Sequence, residues 1–235
     1  MLWVGILQAL ISKNRSFIDN ASKLVQGNIS EDIILQLTGG PLIYIGCRKE
    51  GLEKLRQSVD LNPSVENMET LAYNLYLYSD EKYYESFFLY NRVLKERPKD
   101  IYALTGKGFI LIQYNRLAEA EECFQNALEI SPKDADARYG QGEILYNRGE
   151  FGSALNEYKK SLQYKVSDRY NQWIRIAECY YFLQNLTKAK KAMSKALKIK
   201  PDCEYAKHLL EEISGNAFWG ETLLFDGYYE KAYPY

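Results

Sequence analysis

Lys82 to Asp100 reads KYYESFFLYNRVLKERPKD, Arg116 to Asp134 reads RLAEAEECFQNALEISPKD, Glu150 to Asp168 reads EFGSALNEYKKSLQYKVSD, and Asn185 to Cys203 reads NLTKAKKAMSKALKIKPDC. These segments superimpose at a step of about 34 residues, the spacing of a helix–turn–helix repeat. Leu94, Leu128, Leu162 and Leu197 share one column, and Tyr83, Leu117, Phe151 and Leu186 another. Small residues fill a third (Ser86, Ala120, Ala154, Ala189), and large ones a fourth (Tyr90, Phe124, Tyr158, Met193). Agreement in size as well as polarity across four columns identifies a structural repeat.

Working outward, each unit is expected to open with a first helix, turn at a short polar loop and return with a second helix. The loops are Ser79-Asp80, Asn115-Arg116, Asn147-Arg148-Gly149 and Gln184-Asn185. Pro98, Pro132 and Pro201 stop three second helices, because proline lacks the N–H and clashes with the preceding turn. Val166 takes that place once, and the next step lengthens by one residue. The expected units are 67–100, 101–134, 135–169 and 170–203. Residues 1–66 read as irregular helix. Within them, Gly51 to Pro63 (GLEKLRQSVDLNP) is the second helix of a degenerate repeat, and Gly39-Gly40 before Pro41 is expected to break a helix that begins after Ser30. Residues 204–214 form an amphipathic capping helix that Gly215 ends, and residues 215–235 form an aromatic tail. That tail has three readings: it packs over the end of the array, binds a partner, or lies along the chain's own groove.

The units resemble tetratricopeptide repeats. Leu104, Gly108, Leu111, Ala120, Phe124, Ala127 and Pro132 fit that family's pattern, as do Trp173, Ile176, Ala177, Tyr180, Ala189, Met193, Ala196 and Pro201. Gly142, Leu145, Ala154 and Tyr158 carry it in the unit between, while Asn74 stands where a small residue is usual. The resemblance implies an all-α, right-handed superhelical solenoid of antiparallel helix pairs, in which each unit completes its core with its neighbour. Phe124, Leu111 and Ala127 then belong to the packing, and Gly108 and Ala120 are small because paired helices cross closely there.

Such a solenoid presents the concave side of its first helices to a partner. The resemblance places Tyr78, Tyr102, Thr105, Phe109, Tyr139, Glu143, Tyr146, Asn171, Ile174, Glu178 and Tyr181 in that groove, with Met68, Leu71 and Leu75 beside Tyr78. Chaperone-binding members of the family grip a terminal carboxylate with Lys and Asn on these helices. Here the matching positions hold Leu71, Leu75, Thr105, Phe109, Tyr139 and Glu143, so no such clamp is expected. The expected partner is a peptide or amphipathic helix with apolar anchors and a few basic residues, attracted by Glu143 and Glu178. The implied function is a protein–protein adaptor or assembly subunit. The alternative is an accessory subunit of a membrane- or RNA-associated complex. It would dock through the N-terminal helix (Leu2, Trp3, Ile6, Leu7, Leu10, Ile11) or the stripe Lys188, Lys191, Lys195 and Lys198.

Composition narrows the classes further. The net charge is −1 with a pI near 6.0, which argues against a general polyanion binder. The largely apolar stretch of eleven residues at the start cannot cross a bilayer as a helix, which takes about 20. Cys47, Cys123, Cys179 and Cys203 are dispersed and read as reduced thiols of a cytoplasmic protein. His208, the one histidine, is expected in the cap. No phosphate loop, metal-ligand cluster or nucleophile elbow appears. No catalytic, cofactor-binding or metal residue is therefore assigned, and enzyme activity is not expected. Self-association stays open, and nucleic acid is not expected as a partner.

Overall fold

The computed structural model describes residues 12, 15–25, 29–78, 83–164 and 169–215. The N-terminal amphipathic stretch, Ser79-Asp80, Val166 and the tail beyond Gly215 lie outside these residues. Twelve helices make up the described chain: α1 Ser16–Val25, α2 Glu31–Tyr44, α3 Arg48–Leu61, α4 Val65–Tyr78, α5 Tyr84–Glu96, α6 Ile101–Gln113, α7 Leu117–Ile130, α8 Ala135–Asn147, α9 Phe151–Leu162, α10 Arg169–Phe182, α11 Leu186–Ile199 and α12 Glu204–Ile213. The fold class is an all-α helix-pair repeat. The chain divides into two compact units, Met1–Ile110 and Leu111–Tyr235.

In the first unit, α2 pairs with α3, and α4 with α5, while α3 packs on α4. The pair α2–α3 is the degenerate repeat. Its first helix corrects the expected break, because α2 runs through Gly39, Gly40 and Pro41 to Tyr44. Gly39 is a contact residue: a Cβ there would lie 2.7 Å from Leu55 Cγ and 2.9 Å from the Gly51 carbonyl. Gly51 reciprocates, since its own Cβ would come within 2.5 Å of the Gly39 carbonyl. Two facing glycines let the backbones touch. Burial of Leu42, Ile43, Leu52 and Leu55 then outweighs the single helical hydrogen bond that Pro41 cannot donate.

In the second unit, α8 packs on α7 and α9, α10 on α9 and α11, and α12 on α11. The column of large residues is core in each unit: Tyr90 in the first, and Phe124, Tyr158 and Met193 in the second, are almost fully buried. The small column, Ser86, Ala120, Ala154 and Ala189, is buried too, as are Gly108, Leu111 and Ala127. Each large ring needs a hole. Tyr90 lies against Gly106 and Phe124 against Gly140, where a Cβ would come within 2.3 and 2.2 Å of the respective ring. Tyr158 fills the space beside Gly142 in the same way, at 2.5 Å.

The turns follow from local chemistry. Asn115 (φ 57°), Gly149 (φ 78°) and Gln184 (φ 57°) are left-handed, one in each of the turns α6–α7, α8–α9 and α10–α11. Asp100 and Asp134 cap α6 and α8 by accepting from the N–H of Ala103 (3.0 Å) and Ala137 (2.8 Å). Asn185 caps α11 through the N–H of Lys188. α5, α7 and α11 end two residues before Pro98, Pro132 and Pro201.

Candidate functional site: the first-helix faces

In the first unit, the inward set assigned on α4 needs correction. Met68, Leu71 and Leu75 are at most 2% exposed, because α4 is gripped by α2, α3 and α5 along that side. The open side carries Tyr73 and Tyr76 instead. Tyr73 (40% exposed) and Tyr102 (42% exposed) lie with ring centroids 5.9 Å apart. Behind them, Tyr102 meets the buried Tyr90 edge-on, and Tyr76 stacks with Phe109 at 6.5 Å. Tyr78 is half-buried beneath the guanidinium of Arg48. Thr105, expected in the groove, is buried, and its hydroxyl donates back to the carbonyls of Ile101 and Tyr102. The one hydroxyl proton is used within its own helix, and burial keeps the oxygen from a ligand.

Glu69 lies one turn before Tyr73. Burial and the nearby Asp100 carboxylate raise its pKa to about 7. The face therefore combines tyrosine rings with a carboxyl that holds its proton more tightly than an ordinary glutamate.

The second unit departs further from expectation. Glu143 and Glu178, assigned as attractors for a basic partner, are buried and bound within the protein. Arg175 donates from Nε to Glu143 Oε1 and from Nη2 to Oε2, each at 2.7 Å, and from Nη1 to Glu178 Oε2 at 3.0 Å. Tyr158 donates to Glu143 Oε1 at 2.6 Å, and Tyr205 of α12 donates to Glu178 Oε1. The guanidinium also lies over the Tyr146 ring, 4.8 Å from its centroid. Both carboxylates thus spend their charge on Arg175 and two phenols. Burial, followed by the neighbouring Glu143, holds the Tyr158 phenol well above its ordinary value. Burial, followed by Glu178, does the same for Tyr146, and pushes the Cys179 thiol up to about 12.

Arg175 is the residue that sequence reasoning missed, and the repeat itself held the signal. Gly106, Gly140 and Arg175 occupy equivalent slots, allowing for the one-residue insertion. Where earlier units leave a hole for the preceding ring, this one inserts a guanidinium. Charge replaces shape as the filler, and Glu143 and Glu178 neutralise it.

The other assigned residues are scattered by packing. Ile174 is fully buried, because α10 is enclosed by α9 and α11. Tyr146 packs edge-on to Phe151 and Phe182. Tyr181 donates to Glu212 at 2.8 Å, which ties the capping helix down and raises its own phenol. Tyr139 is half-buried against Tyr158, and Asn171 is half-buried. His208 is exposed beside Glu211. All four cysteines are free. Among the described residues, no group of histidines, cysteines and carboxylates could hold a metal ion, and no helix is long and apolar enough to cross a membrane.

Paired helices packing in tandem, with a ring-lined first-helix face, define an interaction scaffold built from repeats. The tetratricopeptide-repeat profile matches residues 101–134 and 173–203. The chain therefore carries tetratricopeptide repeats at these residues. It is 28% identical over 123 residues to the protein CTR9 homolog of Arabidopsis thaliana, covering 52% of this chain and 11% of that protein. It is 31% identical over 96 residues to the probable UDP-N-acetylglucosamine–peptide N-acetylglucosaminyltransferase SPINDLY of Hordeum vulgare, covering 41% of this chain and 10% of that protein. The chain thus spans about a tenth of the length of these relatives, and the activity in the SPINDLY name belongs to that protein. Among solved structures, the APC/C hetero-tetramer Cut9–Hcn1 matches with a TM-score of 0.75 at 14% identity, covering 89% of this chain and 41% of that one. A thermophilic tetratricopeptide-repeat protein of Thermus thermophilus matches with a TM-score of 0.65 at 16% identity, covering 78% of this chain and 98% of that one. These structural likenesses establish the fold.

Proposed function

We propose that this chain is a non-catalytic interaction adaptor or complex subunit, and that it holds a partner segment on the first-helix face of its first unit. One observation carries this reading. Tyr73 and Tyr102 expose two-fifths of their surface as a pair of rings on a buried aromatic base. Tyrosine suits an interface because its ring buries apolar area at low entropic cost while its hydroxyl keeps a hydrogen bond. A repeat fold has no need to leave two rings out together.

Glu69 sharpens the partner's chemistry. A carboxyl whose pKa is raised by burial and by a neighbouring carboxylate is relieved by a cation, so a lysine or arginine on the partner gains by docking there. The preferred segment is an apolar-anchored peptide or helix with a basic residue about one helical turn from its anchor. Glu143 and Glu178 take no part, since Arg175 already neutralises them.

The test is recovery of native partners by the tagged full chain, comparing wild type with Tyr73→Ala/Tyr102→Ala. The double variant is expected to lose partners while keeping its helical circular dichroism spectrum. Undiminished recovery would remove this face from the account.

A further inference from the structure

The outer layer of the second unit, formed by second helices α7, α9 and α11, carries a graded charge pattern in equivalent repeat slots. The first slot holds Glu119, Ser153 and Lys188; the second holds Glu122, Asn156 and Lys191. The third holds Asn126, Lys160 and Lys195; the fourth holds Glu129, Gln163 and Lys198. All twelve side chains are exposed. α7 as a whole has four glutamates and no lysine or arginine, whereas α11 has five lysines and no acid. Among the described residues, no carboxylate pairs with those lysines. α7 and α9 both pack on α8, α9 and α11 both pack on α10, and Lys159 and Lys188 share the Tyr180 ring at 5.1 and 5.6 Å. The acidic and basic helices therefore flank a nearly neutral one on a single unit.

We propose that this face binds a second copy of the chain as a two-fold dimer. Reciprocal contact is what a closed two-fold pair requires: a patch on each copy must complement itself. A two-fold axis running along α9 reverses the order of the three helices and keeps their direction. It lays α7 over the partner's α11, with α9 facing its own copy. Glu119, Glu122 and Glu129 then stand at the same heights as Lys188, Lys191 and Lys198 of the second chain. The same contacts repeat on the other side of the axis. Axes perpendicular to the helices would set α7 on α7 and α11 on α11, placing like charges together, so the charge pattern selects one arrangement.

Size and polarity along the face agree with this. Small residues, Gly152 and Ser153, sit where the two copies of α9 meet first. Ile130 at the end of α7 and Ile199 at the end of α11 occupy equivalent slots and are 40% and 51% exposed. The dimer covers each with the other. Glu119 is held by Arg116 and Glu121 by Arg148 within the chain, but these are surface pairs that exchange partners at little cost. Lys160 meets its own copy at the axis, so the dimer is a weak and salt-sensitive one. The screening length falls from about 10 Å at 0.1 M salt to about 3 Å at 1 M.

Sedimentation of the full chain at low and high salt tests this, using wild type, Lys188→Glu/Lys191→Glu and Glu119→Lys/Glu122→Lys. Wild type should dimerise with rising concentration at low salt and dissociate at high salt, and each double variant should be monomeric alone. Mixed in equal amounts, the two variants should dimerise with each other, because each supplies the charge the other has lost. Independently of any variant, zero-length carbodiimide coupling of mixed heavy- and light-isotope wild type should join Glu122 of one copy to Lys191 of the other. A wild-type monomer at low salt would overturn the proposal, as would failure of the mixture to associate. A monomer that instead binds a labelled oligonucleotide or heparin through Lys188 and Lys191 would also overturn it, assigning the lysine face to polyanions.

Discussion

Arg175 of α10 holds the carboxylate of Glu143 in α8 with two parallel 2.7 Å hydrogen bonds, and both side chains are about nine-tenths buried. This two-pronged pairing matches the flat guanidinium to the flat carboxylate. Glu178 brings a second negative charge onto the same cation at 3.0 Å. Three charges survive in the core because each oxygen facing inward has a donor, two of them the phenols of Tyr158 and Tyr205.

Removing the cation alone should therefore be severe. Arg175→Ala leaves two buried carboxylates without their counter-charge and is expected to cost about 3–5 kcal/mol. Replacing the whole cluster, as in Glu143→Leu/Arg175→Met/Glu178→Leu, should recover most of that loss. Urea unfolding of the two variants against wild type measures both. A triple variant less stable than Arg175→Ala would show that the charges contribute net stability.

The ring-in-glycine contact makes a second prediction. Gly140→Ala pushes a methyl into the Phe124 ring and should destabilise by about 1–3 kcal/mol. Phe124→Ala should cost about 3–5 kcal/mol by emptying the same space. Combining Gly140→Ala with Phe124→Leu should cost less than Gly140→Ala and Phe124→Leu measured singly and added together, since the shorter side chain yields room. Thermal melts of the four proteins decide it.

Gln184 sits at φ 57° in the turn before α11. A side chain in that region clashes with its own backbone, and glycine does not. Gln184→Gly should raise stability by about 0.5–1 kcal/mol, read as a higher urea midpoint with an unchanged slope.

Glu69 gives stability a pH dependence of determinate sign. Its pKa rises from 4.5 to about 7 on folding, so the folded chain binds the proton more tightly than the unfolded one. Its contribution is fully present below pH 4.5 and fades as pH climbs through about 7. Because the group is only partly buried, solvent screening reduces the effect to order 1 kcal/mol. Glu69→Gln should flatten the profile between pH 5 and 8, on the order of the range the titration spans, when unfolding free energy is measured across it. A partner cation docked on Glu69 should bind more tightly at pH 8 than at pH 6, on the order of the same proton's release.

The helices, their turns and the size-matched core were legible from residue order, because a period of about 34 residues recurs with the same bulk at the same place. Phe124 and Ala120 announce their burial by that recurrence alone. Which side of α4 stays open was not legible: Met68 and Tyr73 are both apolar enough to be inside, and only the packing of α2, α3 and α5 around one side decides. Gly39 reads as a helix breaker until Gly51 is seen opposite it.

Amino-acid order by itself determined that this chain is a tandem array of helical hairpins, since local periodicity specifies each helix and recurrence specifies how one follows another. Tertiary structure decided which polar residues face outward. Glu143 and Glu178 look like surface acids in the sequence, yet Arg175 reaches them from another helix and holds all three in the core. A charge's fate depends on what lies within a few ångströms of it in space, and residue order does not record that distance.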